Sequence, residues 1–440
     1  MLIPRCCQLN ARAAKSCPLA ILSVAVALAV MALAVYASDN NSTHESSARG
    51  ASTRVVNKFL ASAQQGGIVQ FTQSVNLIDE GSVGVTLTVT RTGDTSGVVS
   101  VDYATVDNLA AIRCDDTTTL PGVAFARCDY ATWVDTLTFA VGETQKTFTI
   151  PIIDDAFVEP QESFQVQLSN LRGDAVLGTL NSTRVTITNN DRAGQPNPID
   201  VSSFFVRQHY LDFLSREPET GEPWTRTLNN CPAGNTSCDR IQVSASFFNS
   251  PEFQLKGFFV FRFYKVAFGR LPDYTEIIPD MRRITGRTPT EVFQKRADYT
   301  NAFVRRQEFV SLYAGLSNQA YVAMLLGRYQ LTQVTTPDPQ QPDGTTKVVL
   351  TNAQLVSRLD AGTLTRAQVL RAVVQADEVG AAEFNKAFVA MQYYGYLRRN
   401  PDAAGYQGWL SFLEANPSDY RTMVRGFVDS VEYRLRFGNN

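Results

Sequence analysis

The chain has 440 residues, of which 44% are hydrophobic and 19% charged, so it is globular and long enough for two or three domains. Its formal net charge is −2 and no stretch is broadly basic, which excludes nucleic acid as a main partner. It holds 2 histidines, His44 and His209, so a serine or cysteine triad, or a zinc site of imidazoles, would rest on one usable ring.

In chain order, Arg5, Arg12 and Lys15 precede an uncharged run, LAILSVAVALAVMALAVYA, at 19–37. The residues VYA before Ser38 fit a small-residue cleavage site, so residues 1–37 read as a signal peptide. The run is also long enough for an N-terminal membrane anchor. Export is favoured: a secreted, cell-surface or periplasmic protein, with a single-pass membrane protein as the alternative. Residues 38–66 are rich in Ser, Asn, Ala and Gln and read as a flexible linker. Cys6, Cys7 and Cys17 would leave with the signal. The other four cysteines form two close pairs, Cys114 with Cys128 and Cys231 with Cys238. An even count in loop-like surroundings behind an export signal suggests two local disulfides.

Residues 67–192 change character. VGVTLTVTRTG alternates Val and Leu with Thr, and five further short alternating runs follow, separated by Gly and Asx. Six or seven such strands indicate an antiparallel, immunoglobulin-like β-sandwich. One strand runs into IIDDAFVEPQESF at 152–164, which gathers Asp154, Asp155, Glu159 and Glu162. Two like charges about 4 Å apart cost about 4 kcal/mol at an effective dielectric near 20. Either this stretch is splayed in water or a cation sits among it. In the first case Asp154 and Asp155 cap strand ends, while Glu159 and Glu162 are solvated turn residues.

A polar break at 193–203 reads as a second linker, and from residue 204 the periodicity is helical. Val206, His209, Tyr210, Phe213 and Leu214 share one helix face. Phe205, Tyr210, Arg216 and Pro218 then recur at the same offsets as Phe259, Tyr264, Arg270 and Pro272, and as Phe388, Tyr393, Arg399 and Pro401. The units close alike, on FFNSPEF, FVRRQEF and FVDSVEY. A degenerate unit starts near Tyr321, carries the insertion TTPDPQQPDGTT at 335–346 and ends at VVQADEV. Residues 204–440 thus read as four stacked units of an all-α repeat domain, because one unit cannot bury its own apolar face.

Residues 67–192 resemble the Calx-beta domain, first defined in sodium–calcium exchangers. The resemblance is carried by DEG (79–81), LTVTRTGDTSG (87–97), VSVDYATVD (99–107), CDY (128–130), LTFAVGETQKTFTIPIIDD (137–155), VEPQESFQVQLSN (158–170) and VTITNND (185–191). It departs at 108–128, where a Cys-flanked loop replaces the family's short glycine-rich turn. The family's calcium-binding members carry their ligands in loops at one end of the sandwich. The resemblance therefore implies a weak Ca2+ site of Glu80, Asp129, Asp154, Asp155, Glu159 and Asp191, with the backbone carbonyl of Phe157. Irregular clusters of oxygens suit that ion. The strongest binders end in a run of aspartates. Here the run is Asn189, Asn190, Asp191, and the lost charge should lower affinity.

Residues 204–440 resemble the bacterial domain of unknown function 4214, through FVRQHYLDFLSREPE, FVFRFYKVAFGRLPD and FVAMQYYGYLRRNPDAAGYQGWL. That family implies a helical fold and no settled activity. His209 aligns with Phe263 and Gln392, which marks a packing position, and no catalytic residues are assigned. Arg216, Arg270 and Arg399 should bond helix-end carbonyls or a nearby carboxylate, with sugar or phosphate binding as the alternative. Trp224 and Trp409 read as core anchors, with sugar stacking as the alternative. The expected function is non-enzymatic, an exported interaction protein with a calcium-dependent sandwich and a helical domain for an unknown protein or glycan at the cell surface. An accessory carbohydrate-binding protein is the alternative and a hydrolase is disfavoured. Membrane association is expected only through the N-terminal anchor.

Overall fold

Alternation sets the sandwich. In Gly84–Thr92, Val85, Leu87 and Val89 face inward while the threonines between them face outward. The computed structural model describes residues 66–108 and 113–439; the expected signal or anchor and nearly all of the expected first linker lie outside them. Nine strands build the sandwich: β1 (Gly67–Phe71), β2 (Val75–Asp79), β3 (Gly84–Thr92), β4 (Val99–Val106), β5 (Val134–Phe139), β6 (Gln145–Pro151), β7 (Glu162–Arg172), β8 (Ala175–Leu177) and β9 (Ser182–Thr188). One sheet has the order β6-β3-β1-β8 and the other β2-β9-β7-β4-β5. The sheets close over Phe71, Tyr103, Phe139, Phe148, Phe164 and their aliphatic neighbours, with Tyr103 stacked on Phe148 at 3.7 Å between ring centroids.

The sandwich is not purely antiparallel. β1 pairs in parallel with β8 and β2 in parallel with β9. The first stretch of chain serves both sheets, β1 in one and β2 in the other, and each half meets a later strand running the same way. These extra strands, with the three-residue β8, raise the number above the six or seven expected.

Beyond Asn197 the chain is helical, and segment 193–203 is not an isolated tether. Pro198–Asp200 form a 3-10 turn, Ile199 is buried in the helical core, and the Asn197 amide donates to the carbonyls of Arg434 and Gly438. The recurring motif falls on the helices Ser202–Leu214, Phe259–Phe268 and Asp377–Gln392, the last continued by a π turn at Tyr393–Leu397. Gly395 in that turn lies against the Phe213 ring, where a Cβ would sit 1.8 Å from a ring carbon. Only glycine allows the first and last units to pack this closely. In the degenerate unit the insertion is not helical. Gln333–Pro337 and Lys347–Thr351 pair as an antiparallel hairpin, so the region is not wholly α. No helix among the described residues is long and apolar enough to cross a membrane.

Each repeating arginine performs one task. Arg216 donates through Nε and Nη2 to both oxygens of Glu252, at 2.8 and 2.9 Å. Arg270 does the same to Glu308, at 3.0 and 2.7 Å, and Arg399 to Glu432, at 2.6 and 3.0 Å. Each also donates Nη1 to the carbonyl of the next residue and lies over the tyrosine six residues before it. The glutamates are those of SPEF, RQEF and SVEY. The arginine therefore locks the end of a unit's first helix onto its closing turn by a planar, two-pronged bond.

Sandwich and helices share one compact unit, Gln65–Asn440. Leu211, on the helix Ser202–Leu214, packs in the sandwich core, and Ile153 of the sandwich packs in the helical core. Arg282 lies 3.9 Å over the Trp133 ring, and Lys295 pairs with Asp135 at 2.8 Å. Asp212, only 4% exposed, bonds the equally buried Arg436, whose Nε donates to the Arg127 carbonyl.

Candidate metal centre

The loops after β2, before β5, after β6 and after β9 meet at the end of the sandwich that faces the helices. Glu80 opens the first, directly after β2, where its N donates to the Thr188 carbonyl at the end of β9 at 3.0 Å. Asp129 is set by a tight turn in which its Oδ2 accepts from Phe125 N at 2.5 Å. The Cys114–Cys128 disulfide closes that loop and packs with Phe125 and Phe157. Asp155 follows the last residues of β6, and its Oδ1 accepts from Phe157 N at 2.7 Å. Gly81 lets the first and last loops touch, since a Cβ there would be 2.6 Å from the Asn190 amide nitrogen.

Two groups of carboxylates result. Glu80, Asp155 and Asp191 bring oxygens within 4.8 Å of one another, and so do Asp129, Asp155 and Glu159. Asp155 belongs to both. Asp155 is 4% exposed and its Oδ2 has no hydrogen-bond partner; nor has the buried Oδ2 of Asp191. An orphaned, desolvated carboxylate oxygen is costly unless a cation or proton meets it. Burial, reinforced by the neighbouring acids, holds the carboxyls of Glu80, Asp155 and Glu162 far above their usual range and pushes Glu159 up to about 8. Burial likewise raises Asp129 and Asp191, the latter helped by the charge of Asp154. Without a cation, so many close and desolvated carboxyls cannot all ionise, and some of them must hold protons.

Of the residues expected from the sequence, Glu80, Asp129, Asp155, Glu159 and Asp191 converge. Asp154 stands outside both groups, with its Oδ1 accepting from Asn190 at 3.0 Å. The Phe157 carbonyl accepts from the Asn189 amide at 2.8 Å, so it is bonded within the chain. The two asparagines that replace aspartates thus act as donors that tie the last loop to the 154–157 loop. The sequence placed Glu162 in the acidic stretch, but the ligand set implied by the resemblance omitted it. It is buried against Asp129, which rules out the solvated-turn reading for it. The signal was its parity: Phe164, Val166 and Leu168 face inward, so Glu162, two residues earlier, faces inward too.

The residues that invited other chemistry are structural. His209 is fully buried, with Nδ1 2.8 Å from the Phe205 carbonyl and Nε2 bonded to Ser244, and burial lowers its pKa to about 4. Trp224 and Trp409 pack half-buried against Phe247 and Phe427. Both expected disulfides, Cys114–Cys128 and Cys231–Cys238, are present.

Comparison with known proteins finds the two families in the expected order, the second over the last helical unit alone. Residues 62–191 match the Calx-beta domain, and residues 376–437 match the Domain of unknown function (DUF4214). The rat (Rattus norvegicus) sodium/calcium exchanger 1 is 34% identical over 131 residues, which are 26% of this chain and 12% of the exchanger. The chain therefore spans about an eighth of that relative's length. The apo-form Calx CBD1 domain aligns with 29% of this chain and 100% of its own, at 25% identity and a TM-score of 0.24. The calcium binding domain CBD12 of CALX1.1 aligns with 29% of this chain and 47% of its own, at 27% identity and a TM-score of 0.24.

Proposed function

We propose that this is an exported, non-enzymatic interaction protein whose sandwich takes up Ca2+ at the carboxylate end, with the stacked helices as a scaffold for a cell-surface partner. The observation that carries the reading is the orphaned, buried oxygen of Asp155 at the meeting point of two carboxylate groups. Glu80, Asp129, Asp155, Glu159, Glu162 and Asp191 would hold the ion. It would supply positive charge that offsets part of their mutual repulsion, and hard oxygen donors in a flexible array suit calcium. The two disulfides support an oxidising compartment. The half-buried tryptophans favour a protein partner over stacked sugars. The test is calcium titration of the full chain by calorimetry, with melting in calcium against chelator. Heat of binding and a calcium-raised melting point are expected; their absence at millimolar calcium ends the reading.

A further inference from the structure

One side chain touches the backbone of two carboxylate-bearing loops without belonging to the cluster. Arg207 sits on the first helix of the repeat region, Ser202–Leu214. Its Nη1 donates to the Ile152 carbonyl at 2.9 Å and its Nη2 to the Val83 carbonyl at 2.7 Å. Glu217 holds the guanidinium from the other side, through Nε at 3.0 Å and Nη2 at 2.6 Å. The bonded carbonyls are not arbitrary. Val83 lies three residues past Glu80, and Ile152 three before Asp155. Ile152 N donates to the same Val83 carbonyl at 3.2 Å, Ile153 N donates to the Asp129 carbonyl at 2.9 Å, and Asp155 N donates to Glu80 at 3.3 Å. The segment 152–155 is thus the hub joining the loops of Glu80, Asp129 and Asp155, and Arg207 grips it where it enters.

We infer that Arg207 is a positioning residue for the cation site, so that the helical region sets the sandwich's affinity for calcium. The inference rests on the calcium reading above. A guanidinium delivers two parallel donors in a rigid fork, which lysine cannot do. Glu217 both orients the fork and balances its charge. The ion meets a loop geometry held from the helical side. By linkage, occupancy and the sandwich–helix junction favour each other equally. The consequence is a route by which a partner bound to the helices alters calcium uptake.

The test uses the full-length chain and calcium itself. Arg207→Gln combined with Glu217→Gln removes the grip while leaving the pair's net charge at zero, so repulsion of the cation does not change. Calorimetric titration should show calcium binding weakened about tenfold. A matched control, Asp135→Asn with Lys295→Gln, cuts a different junction contact away from the carboxylate loops and should leave affinity as in the wild type. Arg207→Lys, which keeps the fold's packing but not the fork, should fall between. Equal affinity in the wild type and the double variant overturns the inference, as does an equal loss in the control. If the double variant does not fold, unchanged affinity in Arg207→Lys overturns it. Absence of binding to the wild type removes the calcium reading itself, and this inference with it.

Discussion

Replacing Asp155 by asparagine should stabilise the protein without calcium and destabilise it, relative to wild type, with calcium. Asn can keep the acceptor for Phe157 N and places an amide where the orphaned Oδ2 stands. Asp155 shares both carboxylate groups, with oxygens within 4.8 Å. At that separation an ionised pair costs about 3.5 kcal/mol at an effective dielectric of 20. The folded carboxyls titrate above their unfolded values, so the folded chain holds more protons than the unfolded one. Their contribution to stability is present below about pH 4.5 and lost as pH rises, through about 8 for Glu159. In chelator at pH 9, Asp155→Asn removes a carboxyl that must there either repel a neighbour or keep a proton, a gain of about 3 kcal/mol. With an unfolding entropy on the order of 2 cal/mol/K per residue across the unit, that is about 4 °C in Tm. At pH 5 the gain should nearly vanish. In calcium at about a thousand times the dissociation constant the wild type gains about 4.1 kcal/mol, which the variant forfeits and which exceeds the variant's own gain. Melting by circular dichroism or calorimetry, with chelator and with calcium, reads both signs. A variant that melts below wild type in chelator at pH 9, or that keeps the whole calcium shift, refutes the reasoning.

Removing the Cys114–Cys128 disulfide by double serine substitution should cost about 3 kcal/mol in urea unfolding and weaken calcium binding, because the bridge packs between the Asp129 and Phe157 loops. The Cys231–Cys238 pair should cost slightly less, its loop being shorter, and leave calcium affinity alone; an equal effect on affinity would contradict the loop assignment. Arg270→Met strips paired bonds from Glu276 and Glu308 and should cost about 1.5 to 3 kcal/mol in denaturant unfolding. A loss under about 0.5 kcal/mol would mean that the arginine lock is no stronger than an ordinary surface pair.

The parts legible in the sequence were those with a period or a pairing. Alternation marked β3, β6 and β7. The fixed offsets from Phe205 to Pro218 marked the unit helices, and cysteine spacing marked both disulfides. The convergence of Glu80 with Asp191 was legible only through the family resemblance, since 111 positions separate them and nothing local joins them. β1, β2 and β8 are short and take their identity from parallel partners far along the chain. The hairpin at Gln333–Thr351 was hidden by its Pro- and Gln-rich tip. Arg207 gave no signal, because nothing in the sequence says which distant carbonyls a helix arginine will meet.

The degenerate unit differs from its fellows in a telling way. Among the described residues, no arginine bonds the glutamate of its closing turn as in the other units. The glutamate of its closing turn, Glu378, instead accepts the backbone amide and hydroxyl of Thr335 at the base of the hairpin. The stack thus has a splice point at which foreign sequence has already been spliced in and stitched down by a borrowed side chain. Evolution, or an engineer, can lengthen or swap the ornament at that point while every latch elsewhere stays shut.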